Sequence, residues 1–290
     1  MATPTDLPVV DHHCHLSPHG EGVAAARRFR SLGGTHLFLA TQNYAPSPPT
    51  ALEGYREQFE TTDRLARQIR SDTGVIVHVV VAPFPVDLLA QADRLGLAPA
   101  ETLHLRALDL AGAWVRERRA VALGEVGWPH FPTEPGLRAS AERVFAHALG
   151  VARESDCPVV VHSEELDAGG YRRLHELARA SGLAPSRVVK HYARSAVGAD
   201  DRMGVAASYV ATRELVRQAL GQDRDWMLET DFLDDPRRPG AVLDLATVPR
   251  RVRALLAEDP GHAERLRIPF ERSIHRTYGF TPRAEEAERP

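Results

Sequence analysis

The sequence of 290 residues has few of the features that indicate several large classes of protein. Its two cysteines, Cys14 and Cys157, are too few for a disulfide framework and predict a reducing, cytoplasmic compartment. No apolar run reaches the length of a membrane span, and no signal-peptide pattern follows Met1. The formal net charge of −3 gives no sign of binding to duplex nucleic acid or to an anionic membrane. The composition leaves the oligomeric state open.

Apolar runs alternate with amphipathic stretches along the whole chain. Eight apolar runs separated by helical stretches predict a parallel sheet that is covered on both sides. At this length we expect an α/β protein, a single-domain (β/α)8 TIM-type barrel over residues 1–280, with a charged and flexible tail over 281–290. An open doubly wound sheet is the alternative, but the Gly-rich loop that usually follows its first strand is missing.

The first apolar run, VVDHHCHL, ends in two histidines separated by one residue. Side chains alternate between the two faces of a strand, so we expect His13 and His15 to point the same way, together with Asp11. His12 and Cys14 are expected on the opposite face. Two imidazoles on one face can bind one metal ion together, but an ion needs three or four ligands, and the others must come from elsewhere in the chain.

Further metal-binding side chains stand at the ends of later predicted strands. The carboxyl ends of barrel strands meet at one mouth, where catalytic residues of such barrels are found. The residues at these ends are His13 and His15 on the first strand, Glu125 on the fourth, His162 on the fifth, His191 on the sixth, and Glu229 and Asp231 on the eighth. Imidazole and carboxylate together favour zinc, with manganese, iron or cobalt as alternatives.

This set is larger than one ion requires, so we expect two divalent ions with Glu125 as the bridge. The predicted first site consists of His13, His15, Glu125 and Asp231, and the second of Glu125, His162 and His191. Two such ions hold a water or hydroxide and lower its pKa toward neutrality. Asp231 is the expected group that orients this nucleophile and carries its proton to the leaving group.

The pattern resembles the TatD family of metal-dependent hydrolases, within the amidohydrolase superfamily. The matching segments are DHHCHL at 11–16, ALGEVG at 122–127, PVVVHS at 158–163, VVKH at 188–191 and LETD at 228–231. The segment GEVGWPH is similar to an archaeal-type branch of the family. The resemblance implies a TIM-type barrel, one or two divalent metals and hydrolysis of phosphodiester bonds in DNA. It assigns the family's ligands to His13, His15, Glu125, His162, His191 and Asp231.

Two departures from the family pattern concern the substrate. The family commonly has an arginine two residues after the histidine of strand five, whereas Glu164 and Glu165 follow here. An acidic mouth repels a phosphodiester and suits a neutral or cationic substrate better. An aspartate that is usual after strand four is also missing, and Trp128 and His130 lie in that segment.

Other residues near the mouth are candidates for contacts to the ligands or to the substrate. Asp11 and Glu229 are expected to accept hydrogen bonds from ligand imidazoles or to orient the nucleophile. Arg194 is the best local candidate for holding an anion. Lys190, the only lysine, is expected to point away from the barrel axis. The remaining candidates for substrate contacts are His130, Glu164, Tyr192 and Trp128.

We therefore predict a metal-dependent hydrolase with Asp231 and Glu125 as its catalytic residues, acting on a small-molecule or nucleotide-like phosphoester. One alternative is hydrolysis of a small amide or lactone by the same binuclear centre, which Glu164 and Glu165 favour. An alternative of another class is a metal-binding protein without catalysis. Asp231 argues against it, because a structural site needs no proton shuttle. No membrane partner is expected.

Overall fold

A computed structural model describes residues 6–235 and 242–284 of the chain. The described strands are all parallel to their neighbours and form one sheet in the order β8-β7-β6-β5-β4-β3-β2-β1-β9. Their bounds are β1 Val10–His15, β2 His36–Ala40, β3 Ile76–Val81, β4 Ala122–Gly127, β5 Val159–His162, β6 Val188–Ala193, β7 Ala206–Val210, β8 Trp226–Glu229 and β9 Phe232–Leu233. The predicted alternation of strands and helices in a TIM-type barrel is confirmed.

Helices connect most successive strands and cover the outside of the sheet; in the described chain, β6 continues to β7 and β8 to β9 without a helix. The helices are α1 Val23–Ser31, α2 Leu52–Thr73, α3 Asp87–Leu95, α4 Leu97–Arg116, α5 Pro135–Glu154, α6 Ala168–Ala180, α7 Arg213–Ala219, α8 Thr247–Glu258, α9 His262–Arg267 and α10 Ser273–Tyr278. Local sequence explains several of their ends. Asp167 caps α6 by accepting from the Gly170 N–H, and α2 ends where Gly74 adopts the left-handed conformation that glycine tolerates best.

The short strand β9 was not predicted, and it brings the two edges of the sheet together. The chain kinks at Asp231, a non-glycine residue with a positive φ of 50°, and then continues as β9. In β9, Phe232 pairs with Cys14 and Leu233 with His15, so the continuation of β8 is bonded to β1. The backbone N–H of Asp231 also donates to the His13 carbonyl at 3.0 Å. The kink therefore fixes Asp231 against the strand that carries the first two candidate ligands.

The strict alternation of side chains along β1 does not hold. Its register against β2 shifts between Asp11 and Cys14, which is where the alternation was assumed. As a result, the His12 ring contacts Ser208 of β7 and Phe38 of β2 instead of pointing away from the barrel interior. Cys14 is fully buried, as expected for a small apolar residue.

The end of the described chain packs under the barrel. Helix α10 follows α9 through a wider helical turn at Ile268–Arg272, and Tyr278 contacts His12 and Phe38. Of the tail predicted to be flexible, Ala284 is buried, and residues 285–290 lie outside the described residues. Within the described parts of the chain, no helix combines the length and the apolar character needed to cross a membrane.

Candidate metal centre

The predicted ligands from five strands lie together at the carboxyl ends of the strands. In the first group, the Nε2 atoms of His13 and His15 are 3.2 Å apart and lie 2.8 and 3.3 Å from Oε1 of Glu125. Oδ1 of Asp231 completes the group at 3.8 and 3.6 Å from the same two nitrogens. These four residues are the set predicted for the first site.

A second group shares Glu125 with the first. Nδ1 of His162 and Nε2 of His191 are 3.2 Å apart. The His162 nitrogen lies 3.1 Å from Oε2 of Glu125, and the His191 nitrogen lies 3.4 Å from Oε1. The carboxylate of Glu125 thus has one oxygen facing the first group and the other facing His162.

The spacing of these nitrogens and oxygens fits a divalent ion in each group. At a zinc–nitrogen distance of about 2.0–2.1 Å and a tetrahedral-like angle of roughly 100°, two ligand nitrogens lie about 3.2 Å apart. Both histidine pairs have that separation. The donor set of imidazoles and carboxylates also suits zinc and the neighbouring transition metals.

In each candidate ligand imidazole, one ring nitrogen faces the centre and the other faces away from it. The partner of the nitrogen that faces away indicates which nitrogen is available to bind an ion. Nδ1 of His15 lies 3.2 Å from the Ala40 carbonyl, which can only accept, so Nδ1 donates there and Nε2 is the atom that would bind an ion. Nδ1 of His191 faces Oε1 of Glu229 at 3.5 Å, a charge contact in which no hydrogen bond is formed. Nε2 of His162 contacts Nδ1 of His130 at 2.9 Å, so the outer partner of this ring is a second imidazole.

The two carboxylates at the centre differ in their protonation. Burial alone would raise the pKa of Glu125, but His191, His162 and the hydrogen bonds from the first histidine pair hold that pKa well below its usual range. Burial raises the pKa of Asp231, which the nearby imidazoles of His13 and His15 oppose. Glu125 is therefore the more firmly ionised bridge, and Asp231 is the better suited to accept and release a proton.

Glu229 lies fully buried beneath the second group. Its Oε1 accepts a hydrogen bond from the Tyr192 backbone N–H at 2.7 Å and lies near Nδ1 of His191. Tyr192 has a positive φ of 52°, a conformation that costs free energy in a non-glycine residue. Glu229 therefore holds the strained turn after His191, in addition to facing the ring of this ligand. Burial raises the pKa of Glu229 well above its usual value.

Asp11 contacts the backbone and a hydroxyl group, and no ligand imidazole. Its carboxylate accepts from the backbone N–H groups of His13 and Thr230 and from the Thr230 hydroxyl at 2.6 Å. It thus joins β1 to the end of β8. Burial raises the pKa of Asp11 to about 7.

The mouth forms a cavity of about 870 Å³ above the centre. Its walls include the apolar or aromatic side chains of Tyr44, Ala45, Pro46, Phe84, Tyr192, Leu233 and Val242. Arg194 is the only arginine or lysine among the described residues that line it. The described lining therefore combines these apolar walls and the carboxylates of Glu125, Glu164, Glu165, Asp231, Asp234 and Asp235 with one fixed positive charge near the rim.

The two glutamates after His162 are both bonded to other groups. Glu164 accepts from the Trp128 indole N–H and lies 3.8 Å from an Arg138 nitrogen. Glu165 accepts from the backbone N–H groups of Arg194 and Ser195 at 3.1 and 2.8 Å. Because both carboxylates accept hydrogen bonds, Glu164 and Glu165 should repel a bound anion less strongly than two unpaired glutamates would.

Lys190 is buried and binds backbone, away from the bridging position. Its Nζ donates to the carbonyls of Ser163 and His191 at 3.3 and 2.5 Å and so ties the end of β5 to β6. Burial lowers its pKa.

Sequence reasoning missed several residues beside the centre. The Phe84 ring packs edge-on against the His162 imidazole with ring centroids 5.0 Å apart. Asn43, on the wall, donates to Asp87 at 2.8 Å and accepts from Gln58 at 2.5 Å. No strand-end motif marks Asn43, Asp87 or Gln58, which come from a loop and two helices. The one signal in the sequence for this part of the cavity wall is that polar residues, including Asn43, follow directly after β2.

Comparisons with known proteins agree with this fold. A protein of Methanocaldococcus jannaschii described as uncharacterised is 28% identical over 278 residues, covering 94% of this chain and 96% of its own length. Among solved structures, a phosphotriesterase-like lactonase mutant from Deinococcus radiodurans superimposes with a TM-score of 0.63 at 15% identity, covering 96% of this chain and 98% of that one. A TatD homologue from Escherichia coli gives 0.60 at 18% identity, covering 93% and 97%. The family profile described as TatD related DNase matches residues 10–278, and the chain therefore belongs to the TatD family.

Proposed function

We propose that this protein is a divalent-metal-dependent hydrolase that acts on a phosphoester and uses two ions, with zinc as the first candidate. The observation that carries the proposal is the carboxylate of Glu125, which presents Oε1 to the histidine pair of β1 and Oε2 to His162. Manganese, iron and cobalt are the alternatives for the same donor set. When bound, such ions lower the pKa of a coordinated water and polarise the bond to be cleaved.

The chain's own residues have separate tasks in this proposal. His13, His15 and Asp231 would hold one ion, His162 and His191 the other, and Glu125 both. Asp231, with its raised pKa, would take the proton of the attacking water and deliver it to the leaving group. The apolar wall would exclude bulk water from the bond being broken.

Membership of the family favours a phosphoester substrate, and the charge and the volume of the cavity indicate which phosphoesters can bind. The described lining has a single fixed cation, Arg194, and the cavity of about 870 Å³ admits a small ester or a strand end more readily than a duplex. Arg194 is held by the Glu165 carboxylate, which accepts from its backbone N–H. We propose that its guanidinium contacts the phosphoryl or nucleotide portion of the substrate.

A second candidate is the hydrolysis of a small lactone or amide by the same centre. The specific observation in its favour is the run of apolar side chains on the cavity wall, which includes Tyr44, Phe84 and Leu233. Such a wall suits an acyl chain as well as it suits a base or a nitrophenyl group.

Turnover of matched substrates tests the proposal. Bis(p-nitrophenyl) phosphate, a p-nitroanilide and an aliphatic lactone would each be assayed with protein reconstituted in zinc, manganese or cobalt. Asp231→Asn should lower kcat by at least about 100-fold, the lower range for loss of a general acid–base group. A Glu101→Gln variant serves as control, because Glu101 binds Arg143 and Ser140 away from the mouth.

The outcomes separate the candidates. Phosphodiester turnover that is lost in Asp231→Asn supports the first candidate, and turnover of the lactone or anilide alone supports the second. Metal-loaded wild type without turnover of any of these substrates contradicts both.

A further inference from the structure

The loop between β1 and α1, which we call the mouth loop (residues 17–22), is bound by one buried carboxylate. Oδ2 of Asp234 accepts hydrogen bonds from the backbone N–H groups of Ser17 and Gly22 at 3.0 and 2.8 Å. Oδ1 accepts from the N–H of Glu21 at 2.8 Å. Asp234 is 6% exposed and lies 212 to 217 residues further along the chain than these partners. Three backbone donors therefore converge on a side chain from a distant part of the sequence.

Two glycines allow the mouth loop to fold closely around this carboxylate. A Cβ atom on Gly20 would overlap the Asp234 carboxylate, and Gly22 has a φ of +44°, in the region that glycine tolerates best. The loop is also bonded internally, because the His19 N–H donates to the Ser17 hydroxyl at 3.1 Å. The shape of the mouth loop is therefore fixed by its own bonds and by Asp234 together.

Asp234 also belongs to the short backbone segment that carries Asp231. The backbone N–H of Asp234 donates to the His15 carbonyl at 2.9 Å, and the N–H of Asp231 donates to the His13 carbonyl at 3.0 Å. The segment that binds the mouth loop is thus itself bonded to the strand with the first two candidate ligands. A residue of the mouth loop therefore has a defined position relative to the candidate metal centre.

His19 is the imidazole of the cavity that the candidate centre does not use. The described imidazoles that line the cavity are His15, His19, His130, His162 and His191. Three of them belong to the two ligand groups, and His130 contacts His162. His19 is exposed, and no group in the described part of the chain is bonded to its ring. Because an imidazole always carries an N–H, His19 can donate a hydrogen bond to a molecule in the cavity.

The charges of the lining favour such a donor. Carboxylates outnumber cations there, and Arg194 is the one arginine or lysine among the described lining residues. An anionic phosphoester gains most from N–H donors, since hydrogen bonds to charged groups are stronger than neutral ones. The three backbone N–H groups bonded to Asp234 also offset the charge of that carboxylate.

We propose that His19 donates a hydrogen bond to a phosphoryl oxygen of the substrate, and that Asp234 is the positioning residue that holds His19 at the mouth. This inference rests on the proposed function and adds a second donor to Arg194. Both oxygens of Asp234 accept from the mouth loop, so Asp234 acts on the substrate through His19.

The first test measures turnover of bis(p-nitrophenyl) phosphate by the metal-loaded full chain. His19→Ala should raise KM about 10-fold, as loss of one weak hydrogen bond to a charged group would, and leave kcat within about 2-fold. His175→Ala is the control, because its ring contacts the Met203 carbonyl and does not line the cavity. Asp234→Asn should raise KM similarly, because an NH2 group then replaces one accepting oxygen and faces a backbone donor. The double variant His19→Ala/Asp234→Asn should show no further rise.

The second test needs neither metal nor turnover. Hydrogen exchange of the backbone amides of Glu21 and Gly22, followed by NMR on the metal-free protein, should be at least about 10-fold faster in Asp234→Asn than in wild type. Asp259→Asn is the matched control, because Asp259 accepts from the Gly261 N–H on an exposed turn outside the cavity lining. In this control the two amides should exchange as they do in wild type.

An unchanged KM in His19→Ala, beside an active wild type, would overturn the contact to the substrate. A further rise of KM in the double variant, or wild-type amide exchange in Asp234→Asn, would overturn the positioning role of Asp234. Should Asp234→Asn fail to fold, Gly20→Ala displaces the mouth loop from its other side and should raise KM and amide exchange in the same way. Its control is Gly150→Ala, where a Cβ would meet no atom within 4 Å.

The proposed function fails in a different way. A metal-loaded wild type that hydrolyses no phosphodiester would contradict the proposed function and with it the contact of His19 to the substrate. Amide exchange would still decide whether Asp234 holds the mouth loop. The two failures are therefore distinguishable.

Discussion

The backbone of Gly127 lies close to the backbone of His162, a residue of the second ligand group. Replacing Gly127 with alanine should therefore destabilise the barrel and displace this ligand. Gly127 pairs with His162 across β4 and β5, and its φ is +129°. A Cβ atom on this residue would lie 2.2 Å from the His162 carbonyl oxygen and 3.2 Å from the carbonyl carbon. Backbone cannot yield as a flexible side chain does, so the end of β5 must move and take the His162 imidazole with it.

The magnitude follows from two separate penalties. A non-glycine residue at such a φ costs roughly 1–3 kcal/mol. The steric overlap with His162 adds about another 1–3 kcal/mol, the usual range for an overpacked site. Gly279 provides a matched control, because its φ is +82° and a Cβ there would meet no atom within 4 Å. Gly279→Ala should therefore cost only about 1–2 kcal/mol, the penalty for the left-handed conformation alone.

Urea unfolding of the metal-free proteins measures the difference directly, and zinc titration measures its effect on the site. Gly127→Ala should be the less stable variant by at least about 1 kcal/mol. It should also lose affinity for one of the two ions, whereas Gly279→Ala should bind both. Equal stabilities and equal zinc binding in the two variants would refute the close contact between Gly127 and His162 as a determinant of the site.

Three further predictions concern charge and burial. Burial lowers the pKa of His36 to about 4 and of His78 to about 3, so both imidazoles are neutral in the folded protein at pH 7. Their contribution to the free energy of unfolding is therefore complete above pH 6.5. As the pH falls toward 4, each histidine should lower the free energy of unfolding by roughly 3 kcal/mol. Urea midpoints from pH 7 to 4 should therefore fall less steeply in His78→Gln than in wild type, and parallel curves would contradict this. Arg202 is fully buried and donates hydrogen bonds to the carbonyls of Val205 and Asp225, among others. Urea unfolding of Arg202→Ala should therefore show a free energy of unfolding at least about 3 kcal/mol below that of wild type. A decrease under about 1 kcal/mol would contradict this prediction. Arg194→Ala should raise KM for the anionic phosphodiester several-fold without changing KM for an uncharged lactone; an equal change for both would exclude a charge contact.

The sequence predicted the architecture because the strands are short, largely apolar runs and most of them are separated by recognisable helices. It also indicated which side chains meet, since residues at the carboxyl ends of parallel strands converge in a barrel whatever the loops do. For this reason His162 and His191, which are 29 residues apart, could be grouped before any distance was known.

What the sequence did not reveal depends on backbone detail and on contacts distant in the chain. The register shift in β1 turns His12 toward Ser208, and strict alternation had placed it on the opposite face. The kink at Asp231 creates β9, which is too short to give a pattern of its own. The partners of Glu164 and Glu165 come from other loops and helices, so the charge of the mouth could not be read from these two residues alone.

The most direct test of the account is the metal content per chain, measured by elemental analysis on protein purified without added metal and again after reconstitution with zinc. We expect close to two ions in the wild type and a sharp fall in Glu125→Gln, because Glu125 faces both groups. Glu101→Gln should retain the wild-type content. A single ion that is unchanged in Glu125→Gln would contradict the bridge, and no bound metal after reconstitution would contradict the metal centre itself.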